Sequence, residues 1–125
     1  MEQLYTAFSP EEEALIEREY QALIYDYVNS PHRKKTEIID RAFRLARHAH
    51  GLVRRRSGEP YILHPIAVAR IVCKEIGLGS TSICCALLHD VVEDTEYTVE
   101  DIRHHFGDKI AQIVEGLTKI SAQQV

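Results

Sequence analysis

Residues 83 to 88, Ile-Cys-Cys-Ala-Leu-Leu, are apolar whichever way a helix is turned, and they run directly into His89, Asp90, Glu93, Asp94 and Glu96. A helix that is apolar all round has to be enclosed by other elements. The 125 residues of the chain supply one domain built around that helix and too little for two lobes. Ser80 or Thr81 opens the helix, and the acidic residues mark its exit.

The rest of the sequence reads as the helices that would wrap it. Ser9-Pro10-Glu11-Glu12-Glu13 combines an N-cap residue, a first-turn proline and acids suited to the positive end of a helix. Leu15, Ile16, Tyr20, Leu23, Ile24, Tyr27 and Val28 follow at helical spacing, which predicts a first helix over roughly 10–28. Asn29-Ser30-Pro31 interrupts the chain. Ile38, Ile39, Ala42, Phe43, Leu45, Ala46 and Ala49 then mark a second helix that stops at Gly51. His48 and His50 fall in its last turn, where a favourable charge at the negative helix end and a part in a site are both open. After a polar, cationic loop from Arg54 to Pro60, His64-Pro65 opens a third helix that runs through Ile76 to a stop at Gly77. Thr98 and Asp101 have the spacing of a capping box for a short fifth helix ending at Gly107, and Ile110, Ile113, Val114, Leu117 and Ile120 build a sixth. Strand signals are weak and there is no internal repeat or linker, so the predicted fold is all-α.

Charge and cysteine usage narrow the class. Fifteen basic against 19 acidic side chains give a net charge of −4, so no general basic field draws this segment to nucleic acid. The longest uncharged apolar run, Ile83 to Leu88, falls far short of the ~20 residues a membrane span needs. The opening MEQLYTAFSPEEE is too acidic for a signal peptide, so the expected location is the cytoplasm. Cys73, Cys84 and Cys85 form neither a Cys-x-x-Cys pair nor an even disulfide framework, and they read as reduced core residues.

The carboxylates after the buried helix pose a physical problem. If the helix continues, His89 and Glu93 lie one turn apart on one face, and Asp90 and Asp94 on the neighbouring face. Ionised carboxylates beside a core repel each other and lose hydration, so they must point to solvent, take up protons, or share a cation. A solvated helix end and a divalent-metal site are both open at this point. Imidazole plus carboxylate suits zinc, manganese or iron, and His64 at the head of a different helix can add a second imidazole across a cleft. The loop residues Arg55 and Arg56 supply guanidinium forks of the kind that grip phosphate, with a solvated basic turn as the other reading. Tyr61 reads equally as a pocket residue or a core residue.

The His64-Pro65 pair, followed by His89-Asp90 with Glu93-Asp94-Thr95 attached, resembles the HD-domain phosphohydrolases. Three ordered blocks narrow the resemblance: RRSGEPYILHPIAVARI (55 to 71), ALLHDVVEDTEYTVEDI (86 to 102) and FGDKIAQIVEGLTKIS (106 to 121). These look like successive parts of the N-terminal hydrolase domain of RelA/SpoT-type guanosine tetraphosphate synthetase/hydrolases, a similarity over roughly residues 37 to 121. The resemblance implies an HD-type helical bundle over 31–125, with residues 1–30 a helical segment outside the blocks. It implies His64, His89 and Asp90 as metal ligands, with manganese as the usual metal and other divalent ions as substitutes. It implies Glu93 and Asp94, within the family's His-Asp-x-x-Glu-Asp signature, as the pair that positions and activates water. Arg55, Arg56 and Ser57 match an Arg-Lys-Ser triplet that lines the nucleotide pocket. The implied reaction removes pyrophosphate from the 3′ position of guanosine tetra- or pentaphosphate, giving GDP or GTP.

Some positions depart from the pattern. Arg56 replaces the usual lysine, and Val53 stands where many relatives carry glutamine. The family's fourth ligand comes from an Asp-Arg pair on a later helix, and no such pair follows the third block. The expectation is therefore a bundle truncated at its C-terminus, part of a bifunctional protein with synthetase and regulatory domains, which binds metal weakly, dimerises over its open face or lacks activity by itself. Two other readings stand beside this one: an HD hydrolase of a different nucleotide, and a regulatory module that binds the alarmone without turnover.

Overall fold

The computed structural model describes residues 7–32 and 34–123. The readings drawn from the first six residues and from the closing Gln124-Val125 lie outside them. Seven α-helices make up the described chain: α1 Pro10–Val28, α2 Thr36–His50, α3 Leu63–Ile71, α4 Ser80–Leu88, α5 Val91–Asp94, α6 Val99–Phe106 and α7 Asp108–Gln123. Among the described residues there is no strand, only one antiparallel bridge between Arg54 and Pro60. The all-α expectation is met.

Helix α4 occupies the centre. All six residues from Ile83 to Leu88 are buried, and the helix packs against α2, α3 and α7. Each large aliphatic side chain enclosed in this way contributes about 1.5–3 kcal/mol. The three cysteines are buried and free; Cys84 Sγ donates to the Ile38 carbonyl at 3.5 Å. Burial pushes the Cys84 thiol up to about 12 and the Cys85 thiol up to about 11, which leaves both inert at neutral pH.

Helix α1 shares this core through Ile16, Tyr20, Leu23 and Tyr27. Its start is a full capping box: the Glu12 N–H donates to Ser9 Oγ at 3.1 Å, and the Ser9 N–H donates to Glu12 Oε1 at 2.9 Å. The Tyr20 ring stacks on Phe43 of α2 with centroids 3.9 Å apart, and its hydroxyl donates to Asp40 at 2.7 Å. Arg70 of α3 binds Asp26 and Glu19 of α1 at 3.0 and 3.3 Å. Together these contacts fix α1 across α2 and α3.

The third helix differs from its prediction at both ends. It begins one residue before His64, and its last turn, Val72–Ile76, winds as a π-helix that closes on Gly77 in the left-handed region at φ 82°. The wider turn hands the chain to α4 within three residues, Gly77 to Gly79. Helix α6 starts on the predicted capping box between Thr98 and Asp101, and a turn at Gly107, φ 93°, leads into α7.

Candidate metal centre

The exit of α4 is not the continuous helix that the spacing predicts. Helix α4 ends at Leu88, His89 and Asp90 form a turn, and α5 begins at Val91. The cause is local: His89 turns its ring back onto its own helix end, with Nδ1 2.6 Å from the Ala86 carbonyl. A carbonyl oxygen can only accept, so Nδ1 carries a proton, and Nε2, which shares a proton with Asp90 at 2.9 Å, is the atom whose lone pair is freed when that proton leaves. The tautomer then left is the one a metal ligand needs, held in place by an outer hydrogen bond.

Three side chains meet at this turn. Single ligand atoms of His64, His89 and Asp90 lie within 4.8 Å of one another. His89 Nε2 is 2.9 Å from Asp90 Oδ2, and the His64 and His89 rings stand edge to face with centroids 5.7 Å apart. Helix α3 carries the first ligand and the turn between α4 and α5 the other two, so the cluster forms only when α3 packs on α4. Two imidazoles and one carboxylate, all half-buried, suit a borderline divalent cation. The donor set fits a divalent metal.

The electrostatics agree with that chemistry. Burial, followed by the charge of Arg55, pushes the His64 imidazole below its ordinary value, which favours the neutral form. Burial alone would raise Asp90, but hydrogen bonds from His89 and Tyr61 outweigh it and bring the carboxyl down to about 2. The hydrogen bond to Asp90 pushes His89 up. Asp90 is therefore a carboxylate at any physiological pH, and its charge is what the two imidazoles face.

The other predicted residues are brought to the centre unequally. Glu93 lines a cavity of about 390 Å³ together with His89, Asp90, Val68, Val72 and Leu117. Asp94 is exposed and does not line that cavity; burial and the nearby charges of Asp90 and Glu93 push its carboxyl up. Arg55 acts on His64 and Tyr61 through its charge. Arg56 is exposed and makes no hydrogen bond or ion pair among the described residues. Ser57 Oγ donates to Glu59 within the same loop.

Two residues on which the sequence was ambiguous prove to be part of the site. Tyr61 donates its hydroxyl to Asp90 and lies between the rings of His50 and His64, with centroids 4.8 and 5.7 Å away. His50 is 4% exposed, its Nε2 has no hydrogen-bond partner, and burial pushes its imidazole down. It therefore does not act as the cation at the end of α2 that its position suggested, because desolvation keeps it neutral. His48, two residues earlier, is exposed. A buried last-turn position on an amphipathic helix was the one available signal for His50.

Comparison with known proteins agrees with the geometry. The family described as HD domain matches residues 42–125. A protein of Aquifex aeolicus named guanosine-3′,5′-bis(diphosphate) 3′-pyrophosphohydrolase is 41% identical over 86% of this chain and 15% of its own length. One of the same name from Vibrio cholerae is 43% identical over 76% of this chain and 13% of its own. A protein of Streptomyces coelicolor named GTP pyrophosphokinase is 46% identical over 66% of this chain and 10% of its own. The chain thus spans 10% to 15% of the length of these relatives. With two imidazoles and an aspartate gathered on a helical frame, and a family match over residues 42–125, the chain belongs to the HD-domain family, in its RelA/SpoT-type branch.

Proposed function

We propose that this chain is a metal-dependent hydrolase domain that removes the 3′-pyrophosphate of guanosine tetraphosphate, giving GDP and pyrophosphate, with manganese as the metal. The observation that carries the reading is the convergence of His64 from α3 with His89 and Asp90 from the turn between α4 and α5, beside a cavity lined by Glu93. The names of the relatives supply the substrate class.

His64, His89 through Nε2, and Asp90 would hold the ion. When bound, a divalent cation supplies Lewis-acid polarisation of a phosphate oxygen and acidifies water. The remaining work falls to the chain. Glu93 orients the attacking water and accepts its proton, being a solvent-open carboxylate on the cavity wall. Asp94, whose carboxyl is pushed up by burial and then by the charges of Asp90 and Glu93, assists Glu93 by holding or relaying that proton. Arg55, with Arg56 and Ser57 beside it, takes the phosphate charge by charge-assisted hydrogen bonds. The half-buried Tyr61 and the apolar wall from Val68 and Val72 keep bulk water from the ligand side of the cavity. We propose further that the domain works within a longer protein that also carries a synthetase, since relatives of which it spans 10% to 15% are named in some cases for the hydrolase and in others for a GTP pyrophosphokinase.

The test is incubation of the chain, and of a longer parent that reaches the later Asp-Arg pair, with guanosine tetraphosphate and manganese, following release of GDP and pyrophosphate. Turnover in the longer parent that stops with a chelator, is abolished in Asp90→Ala and is slowed at unchanged metal affinity in Glu93→Ala is the expected result, with or without turnover in the chain alone. Metal and nucleotide binding without any hydrolysis, in this chain and in its longer parent, would favour the regulatory-module reading instead.

A further inference from the structure

We infer that Glu12, in the first turn of α1, is a positioning residue for the phosphate-binding loop: through Arg54 it holds residues 54–59 in the conformation that presents Arg55 and Arg56 to an incoming phosphate. The inference rests on the proposed function for its substrate and on geometry of its own. Three consecutive arginines open the loop, and the structure divides them. Arg55 and Arg56 are exposed, whereas the side chain of Arg54 is only 15% exposed. Its guanidinium grips Glu12 with both forks, Nη1 to Oε2 at 2.6 Å and Nη2 to Oε1 at 2.8 Å. Nη1 also donates to the Gly58 carbonyl at 2.8 Å, across the loop from Arg54 itself, and Nη2 donates to the Ala7 carbonyl at 3.3 Å. The ring of Phe8 lies under the guanidinium, 5.1 Å from its carbon.

A planar fork on a carboxylate is the most directional ion pair available to a side chain. Here one guanidinium ties the head of α1 to both ends of the loop. Among the described residues, no other side-chain hydrogen bond leaves residues 54–59; Ser57 bonds only to Glu59 inside the loop. The backbone adds short internal bonds, Arg55 N–H to Glu59 O at 2.9 Å and Gly58 N–H to Arg55 O at 2.8 Å, which close the turn without anchoring it. Glu12 also neutralises Arg54, so the charge presented to an incoming phosphate is that of Arg55 and Arg56. A loop that must be ordered during binding subtracts that ordering from affinity; one already clamped does not.

Glu12→Gln separates clamp from fold, because glutamine serves the capping box as glutamate does. Arg54→Gln removes the other half, and the double variant tests their coupling. Two readouts are taken: backbone amide exchange of residues 54–59 in the free chain, and the Kd for guanosine tetraphosphate with manganese present. Faster exchange confined to the loop is expected in both single variants, together with a nucleotide Kd raised about three- to tenfold, the ordering of one or two side chains. The double variant should be no worse than either single, with manganese affinity and helical content unchanged. Unaltered loop exchange in both single variants would overturn the clamp, as would faster exchange with an unaltered nucleotide Kd. A wild-type chain that binds no guanosine tetraphosphate would remove the proposed function instead, and the exchange measurement would still decide the clamp. Should one variant fail to fold, the other carries the same test.

Discussion

Tyr61 shows how much one hydroxyl can decide. It donates to Asp90, so it occupies one lone pair of the carboxylate and limits which oxygen faces the imidazoles. Removing such an outer partner costs about 10- to 100-fold in metal affinity in comparable sites. Tyr61→Phe keeps the ring between His50 and His64 and should weaken manganese binding to that extent, measured by calorimetric titration; unchanged affinity would reduce Tyr61 to a packing residue. His50 makes a second prediction, in pH. Burial holds its imidazole below 6.5 in the folded chain, so the unfolded chain binds the extra proton first. Stability contributed by neutral His50 is therefore lost as pH falls through about 6.5, and the loss levels off below the folded value. His89 is pushed the other way, so the comparison has to be with a variant. His50→Leu should flatten the fall in stability between about pH 7.5 and 5.5, read by urea titration at each pH.

At the scale of elements, α4 and α7 carry apolar residues of similar kind with different consequences. Leu88 is fully buried, whereas Leu117 on α7 is 40% exposed. Leu88→Ala should cost about 2–5 kcal/mol and Leu117→Ala well under half of that, measured by chemical denaturation. The difference follows from enclosure: α4 is packed by α2, α3 and α7, while one face of α7, with Ile113, Leu117 and Ile120, is open. The break between α4 and α5 belongs to this scale too. Sequence spacing put His89 to Asp94 on one unbroken helix because each of those residues tolerates helical geometry. The bond from His89 to the Ala86 carbonyl ends α4 instead, and it aims Nε2 at Asp90.

For the whole molecule, the metal centre is a joint between halves of the chain. His64 arrives on α3, before the buried helix, and His89 and Asp90 arrive after it, so an ion held by all three ties α3 to the turn that follows α4. A ligand that binds only the folded state stabilises it by about 2.7 kcal/mol at a hundred times its Kd. Manganese should therefore raise the melting temperature of the chain, a chelator should reverse the rise, and Asp90→Ala should abolish it. A melting temperature indifferent to manganese in the wild-type chain would show that the three side chains do not hold the ion together.

The order of helices, the central place of Ile83–Leu88 and the capping residues Ser9 and Thr98 were legible in the sequence. Each follows from local spacing and from the chemistry of a few adjacent residues. The spacing left the pairing of His64 with His89 and Asp90 as one of two open readings, beside a solvated helix end; the resemblance singled it out, and the tertiary structure brings the three side chains together. Three features lay beyond the sequence: the orphaned Nε2 of His50, the Tyr61 hydroxyl on Asp90, and the grip of Arg54 on Glu12 rather than on substrate. Each joins residues from different elements, separated by 11, 29 and 42 positions in the latter cases and the His50–Tyr61 contact. Identical arginines in a row have identical local preferences; only the packing of α1 beside the loop gives one of them a carboxylate to bind and leaves the other two to solvent.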